Sequence, residues 1–270
     1  MQALRILVTG ATGFLGSNVV AALQRAGHTA LTTARTRGDA VVDLLAPGMV
    51  AAVTQALAPD LVIHLAAMAR LADCERDPDR AQRTNAWLPE QWAVRFGARL
   101  LHVSTDLVFD GRGAPYDEYS PVAPLSVYGV SKASGEQRVI AHGGRVVRLP
   151  LLFGPDPAGR GATAGLRSAQ RTRSVVPLFT NEYRTPLHCV DAAEALAAAV
   201  VDPEGPVLTH LPGPERVSRW ELAQRFCAVH RLDASLLRAV ECQNPTRPRD
   251  VSLAGSWRPR RSLAAMLADA

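Results

Sequence analysis

Lysine is almost missing from this chain. Of its 30 Lys+Arg residues, 29 are arginine, and the single lysine is Lys132. Long apolar runs are missing as well: none approaches the roughly 20 residues needed to cross a bilayer. The opening stretch, MQALRILVTG, enters a strand at once, without the charged start and apolar core of a secretion leader. The expectation is a cytoplasmic protein with no membrane partner. Cys74, Cys189, Cys227 and Cys242 are far apart and form no Cys-x-x-Cys, which argues against a disulfide framework and against structural zinc. The seven histidines are scattered, so no metal-ligand spacing is visible. Aromatic residues are too few to suggest a base-stacking surface, with four Tyr and four Trp, and the arginines alternate with acids along the chain. The net charge of +5 therefore points to a small anionic ligand or a solvated surface rather than to nucleic acid.

What is present is ordinary globular material, 47% apolar and 20% charged. A length of 270 residues suits one large α/β domain or a domain and a half. Arg5–Thr9 is a short β-branched run and reads as a buried parallel strand. Gly10-Ala-Thr-Gly-Phe-Leu-Gly16 follows, then an amphipathic segment to Gly27, which suits a C-cap. Strand, glycine turn and helix in this order form a phosphate-binding fingerprint. Gly10 permits the turn, Gly13 lets backbone approach a pyrophosphate, Gly16 allows close packing, and the helix N-terminus offers its N–H groups. Thr12, Phe14 and Leu15 complete that cofactor-binding turn. The spacing is Gly-x-x-Gly-x-x-Gly.

The second strand is expected at about Thr29–Thr33. An acid at its end would favour NAD; Thr33, Ala34 and Arg35 stand there instead, with Arg37 beyond. Arg35 thus favours the 2′-phosphate of NADP, and NAD is the alternative. Asp60–Ala67 reads as the third strand and its exit loop, with His64 a core histidine. Asp79–Phe96 reads as helix broken or kinked at Pro89, Arg99–Ser104 as the fourth strand, and Arg145–Leu149 as the fifth. Ser126 to about Ile140 is a helix with Ser126 as N-cap. This alternation predicts an α/β fold with a doubly wound, Rossmann-like parallel sheet. Residues 1–150 form the dinucleotide-binding part, with later segments contributing. Residues 151–270 form a smaller substrate-binding region over the carboxyl edge of the sheet. Its helices are expected near Thr163–Arg173, Ala192–Val201 and Ser218–His230, and its strands near Val175–Phe179 and Pro206–Leu211.

Ligands of such folds sit at the carboxyl ends of the strands. Thr105 follows the fourth strand, while Tyr128 and Lys132, four residues apart, share one helix face at the same edge. A carbonyl receiving hydride needs a proton. Tyr128 can deliver it, a nearby Lys132 would lower the phenol's pKa, and Thr105 can hold the carbonyl.

Gly10-x-x-Gly13-x-x-Gly16, Pro59–Ala67, Ser104-Thr-Asp-Leu-Val-Phe-Asp-Gly111 and Tyr128-Gly-Val-Ser-Lys132 together resemble the extended short-chain dehydrogenase/reductases. Pro115-Tyr-x-Glu118, Gly213-Pro-Glu-x-x-Ser218-Arg and Arg247-Pro-x-Asp-x-Ser-Leu253 are similar to the dTDP-4-dehydrorhamnose reductase branch. The resemblance implies NADPH-dependent reduction of the 4-keto group of a nucleotide-linked 6-deoxy sugar, with Thr105, Tyr128 and Lys132 catalytic. It implies Asp43 and Leu44 near the adenine, Ala66 and Ala67 along the cofactor, and Arg148 near the strand end. Thr105, Asp106, Tyr128 and Arg184 would touch the substrate. A homodimer is compatible with it. Related 4,6-dehydratases carry Glu after the Asp; Leu107 stands here and disfavours elimination. Leu149-Pro150 and Met68-Ala69-Arg70 depart from the usual pattern beside the substrate, so the sugar itself is left open. A nucleotide-sugar epimerase and a non-catalytic NADP-binding regulatory subunit are the alternatives.

Overall fold

The computed structural model describes residues 2–156 and 158–270. Six strands come in the first part of the chain: β1 (Arg5–Thr9), β2 (Thr29–Ala34), β3 (Ala40–Val41), β4 (Leu61–His64), β5 (Leu100–Thr105) and β6 (Arg145–Leu149). Among them lie α1 (Phe14–Arg25), α2 (Met49–Leu57), α3 (Leu71–Arg76), α4 (Pro78–Gln82), α5 (Leu88–Phe96) and α6 (Val127–Ala141). The later part carries β7 (Leu152–Phe153), α7 (Ala164–Thr172), β8 (Val176–Phe179), β9 (Tyr183–Arg184), β10 (Leu187–His188) and α8 (Cys189–Val200). Then come β11 (Leu208–His210), β12 (Val217–Ser218), α9 (Arg219–His230), β13 (Leu237–Val240) and α10 (Leu263–Ala268).

The main sheet has the order β11-β6-β5-β4-β1-β2-β3, and its pairings are all parallel. The direction of winding reverses between β1 and β4, which opens a crevice at their carboxyl ends. Both faces are covered, so the strands read as continuous apolar runs rather than alternating ones. Ile6, Val8, Ile63, Leu101 and Val147 face one layer, with Val19 and Leu23 of α1 and Leu196 of α8. Leu7, Leu31, Val62, Leu100 and Val146 face the other, with Trp92 of α5 and Val139 of α6. Segments after residue 150 return to this sheet: β11 extends it beside β6, and α8 packs on α1. The remaining late strands pair locally, β7 with β10, β9 with β12 and β8 with β13. This places Arg184 above the carboxyl edge.

Most expected elements lie within a residue or two of their predicted bounds, and the differences have local causes. Asp79–Phe96 is α4, a π-helical turn at Arg83–Trp87, and α5. Pro89 has no N–H to close onto the carbonyl of Asn85, and the helix widens there instead of breaking. The helix expected from Ala192 starts at Cys189, because the His188 ring accepts a hydrogen bond from the Val190 N–H and caps it. β3 and α2 lie in a stretch where the residue pattern predicts no element. No helix among the described residues is long and apolar enough to cross a membrane.

Candidate active site

The glycine turn is built as its sequence requires. Gly10 has φ +67°, and a Cβ there would lie 3.0 Å from the Ala66 nitrogen on the neighbouring loop. A Cβ on Gly16 would sit 2.3 Å from the Gly10 carbonyl oxygen, so α1 can start this close to β1 only with glycine. Helix α1 has neither a side-chain cap nor an acidic residue in its first turn, and its N–H groups and positive dipole stay available to an anion. The segment after β7 crosses over this turn. Arg160 donates to the Thr12 carbonyl at 2.8 Å, and Gly161 lies against the Phe14 ring.

Beyond β2, Arg35 and Arg37 are exposed, and neither forms a side-chain hydrogen bond among the described residues. Asp39, the acid nearest that strand end in sequence, is spent on Thr32: its carboxylate accepts from the backbone N–H at 2.8 Å and the hydroxyl at 2.7 Å. Asp43 accepts from the Leu45 N–H, and Leu44 is buried in the α5/α6-side core. Ala66 is half-buried and Ala67 exposed at the end of β4, along the crevice.

Thr105 ends β5. Its hydroxyl accepts from the Leu107 N–H at 3.2 Å and donates to Asp106 at 3.1 Å, and the Tyr128 phenol lies beside it. Tyr128 enters from the first turn of α6, whose N-cap Ser126 accepts from the Gly129 N–H. α6 approaches this closely because Gly129 has no side chain: a Cβ there would lie 2.3 Å from the Leu107 carbonyl. Arg184 Nη1 donates to both oxygens of Asp106 at 2.8 Å each. Thr105, Asp106, Tyr128 and Arg184 thus form one buried cluster, although Arg184 is 78 residues from Asp106.

The electrostatics depart from the sequence-based expectation at one point. Burial raises the Tyr128 phenol well above its ordinary value, with the neighbouring Thr105 hydroxyl and Arg184 pulling down and Asp106 and Cys74 adding to the rise. Lys132 does not lower it. The ammonium is turned toward β5, donating to the Val103 carbonyl at 2.7 Å and meeting His102 Nε2 at 3.1 Å. Spacing of four put the two side chains on one side of the helix but could not say which strand atoms each would meet. Lys132 is 2% exposed, and burial lowers it to about 8, with Glu136 opposing. The site therefore holds a protonated phenol and a buried cation about one helical turn apart.

Arg148, expected near the strand end, is committed internally. It is bound to Glu136 at 2.7 Å, meets His210 at 3.2 Å and lies over the Phe109 ring. Within Arg184–His188 only Arg184 turns to the site; His188 faces Arg261 and the start of α8. Arg70 is exposed at the start of α3. Among the described residues, no group of three His, Cys, Asp or Glu side chains is placed to hold a metal ion.

Two residues to which the sequence assigned no role belong to the site. Asn85 clamps the Met68 peptide, accepting from its N–H at 2.9 Å and donating to its carbonyl at 3.0 Å, and also donates to Ser131 of α6. Pro89 four residues later was the available signal. Arg219, at the start of α9, is half-buried and has no hydrogen-bond or ion-pair partner for its side chain among the described residues. Burial lowers it to about 10; Arg184 and Arg247 add to this and Glu182 opposes. No local pattern marks it, because its neighbours come from β9 and the segment near residue 247.

The profile of the family described as "RmlD substrate binding domain" matches residues 4–258. Methionine adenosyltransferase 2 subunit beta of Pongo abelii is 30% identical, covering 95% of this chain and 78% of that protein. The spore coat polysaccharide biosynthesis protein SpsK of Bacillus subtilis is 26% identical, covering 86% of this chain and 82% of that protein. Among solved structures, dTDP-4-dehydrorhamnose reductase of Bacillus anthracis in complex with NADP superposes with a TM-score of 0.89 at 22% identity, covering 98% of each chain. At that identity the likeness speaks for the fold.

Proposed function

From the premise that the chain belongs to the RmlD substrate binding domain family, we propose that it is an NADPH-dependent reductase. Its substrate would be the 4-keto group of a nucleotide-linked 6-deoxy sugar. The observation that carries this reading is the buried, protonated Tyr128 beside Thr105, with a buried lysine on the next turn of the same helix. A bound nicotinamide cofactor supplies the hydride. The chain supplies the rest. The N–H groups at the start of α1 and the turn Gly10, Thr12, Gly13, Phe14, Leu15 and Gly16 would hold the pyrophosphate. The solved relative carries NADP, and here the free Arg35 would meet the 2′-phosphate, with Asp43 and Leu44 beside the adenine and Ala66 and Ala67 along the cofactor. These residues fit a dinucleotide: the cradle is glycine where a Cβ would collide, and the helix end is uncapped.

At the reacting carbon, Thr105 would orient the carbonyl and Tyr128 would release its phenolic proton to the carbonyl oxygen as hydride arrives at carbon. The phenol suits this task because burial keeps it protonated at neutral pH. Lys132, charged below about pH 8 and anchored to β5, would hold the nicotinamide ribose with its remaining hydrogen. Asp106 and Arg184 wall the site, and the unpaired Arg219 beyond Arg184 offers its donors to a substrate diphosphate. The test is NADPH oxidation over a panel of 4-keto nucleotide sugars with wild type and Tyr128→Phe. Removing the acid should cost about 100-fold or more in kcat; equal rates in both proteins would defeat the assignment.

A second reading rests on the 30% identity to a methionine adenosyltransferase subunit: a non-catalytic NADP-binding regulatory subunit. A binding role needs neither the Tyr128 acid nor the buried Lys132, and their retention speaks for the reductase. Stoichiometric co-purification of a partner enzyme, with no turnover of any keto sugar, would reverse that preference.

A further inference from the structure

On the α5/α6 face of the sheet, each central strand changes character at the same level. Leu7, Leu31 and Val62 form an apolar row continued by Leu100, and two residues further along come Thr9, Thr33, His64 and His102. These four polar residues are in register across β2, β1, β4 and β5, and all are at most 1% exposed. Burying such a row is costly unless its members find hydrogen-bond partners. It ends on Lys132.

The hydrogen bonds fix the state of each ring. Thr9 Oγ1 accepts the backbone N–H groups of Leu65 at 3.1 Å and Ala66 at 3.2 Å, which fills its lone pairs. Its own hydrogen therefore goes to His64 Nδ1 at 2.8 Å. The His64 ring stacks on His102 with centroids 5.4 Å apart. An ammonium can only donate, so His102 Nε2 accepts from Lys132 and its proton sits on Nδ1. Burial lowers both imidazoles, His64 to about 3, so both rings are neutral. Of the three hydrogens on the Lys132 ammonium, one goes to His102 and one to the Val103 carbonyl. One is left, and its direction is set by the other two.

We propose that His102 is a positioning residue, a neutral acceptor held by His64 and Thr9 that anchors Lys132 to β5 and aims its one free hydrogen. The task given to Lys132 rests on the reductase reading; the anchoring does not. The other ionisable groups around the ammonium are His64 behind His102 and, on its own helix, Tyr128 and Glu136, the latter bound to Arg148 of β6. Glu136 favours the charged lysine and is left intact by changes at position 102.

Because Lys132 is the only lysine, isotope-labelled lysine gives a single side-chain NMR signal whose titration reads this group without any ligand. His102→Leu removes the acceptor, and the midpoint should fall by about one pH unit, a tenfold loss in proton affinity. His102→Gln, which returns an acceptor, should restore most of it. If the leucine variant does not fold, His102→Phe serves as the acceptor-free form. A midpoint that stays put or rises in the acceptor-free variant, or that moves equally in the glutamine variant, overturns the proposal. In turnover, kcat should drop about tenfold without the acceptor and recover with glutamine. A wild type that turns over no keto sugar, while its lysine titration responds as described, would sink the reductase reading and leave the anchoring standing.

Discussion

Arg184→Met puts the buried cluster to a quantitative test. Arg184 is 8% exposed and Asp106 1%, and Nη1 reaches both carboxylate oxygens at 2.8 Å. Removing one partner of such a pair strands the other charge without solvent or counter-ion, a loss of about 3–5 kcal/mol. For a chain of this size that lowers Tm by on the order of 10 °C. The pH dependence follows from the carboxyl. Burial already raises Asp106 above 3.8, against the pull of Arg184 and the Thr105 hydrogen bond. Without the guanidinium it rises further, so the folded variant takes up a proton before the unfolded chain does. A folded state that binds more protons gains stability as pH falls, and the penalty fades on acidification through the raised value. The deficit against wild type should therefore be largest at neutral and alkaline pH and shrink as pH falls toward the ordinary carboxylate value of about 4. Asp106→Asn combined with Arg184→Met should recover much of the loss, since no charge is then stranded. Urea unfolding across that pH range measures all three proteins. A single variant within about 1 kcal/mol of wild type at neutral pH, or a deficit that ignores pH, would refute the reasoning.

Arg219→Leu should raise KM for the nucleotide sugar about 10–100-fold, the worth of charge-assisted hydrogen bonds to a diphosphate, with NADPH affinity unchanged; an equal loss for both ligands would place Arg219 elsewhere. Turnover should decline as pH rises through about 8, because Lys132 must keep its proton and its folded value lies below the ordinary 10.5. A kcat profile that stays level to about pH 10 would contradict that role.

The sheet and the glycine turn were legible because they depend on local pattern: apolar runs of strand length, a Ser126 cap, and glycines where any Cβ would strike backbone. Tyr128 and Lys132 were legible as a pair because helix periodicity is rigid. What each would touch was not, since Lys132 meets a strand 29 and 30 residues away and its ammonium turned from the phenol to His102. His64 read as a core histidine, and it is buried; only strand register shows it in a polar row, with Nε2 left unpartnered. Asp106 and Arg184 were joined through a family likeness, because nothing local connects residues 78 apart. Arg219 stood only at the end of the family-like Gly213–Arg219 motif, with no role attached, in a chain where one more arginine among 29 carries no signal.

The central claim is net hydride transfer to a sugar carbon, and isotope transfer tests it most directly. NADPH deuterated at its reactive position, incubated with the enzyme and a 4-keto nucleotide sugar, should place one deuterium on C4 of the product alcohol. Tyr128→Phe should place almost none in the same time. Sugar returned without label, or label appearing equally with the phenylalanine variant, would contradict the account.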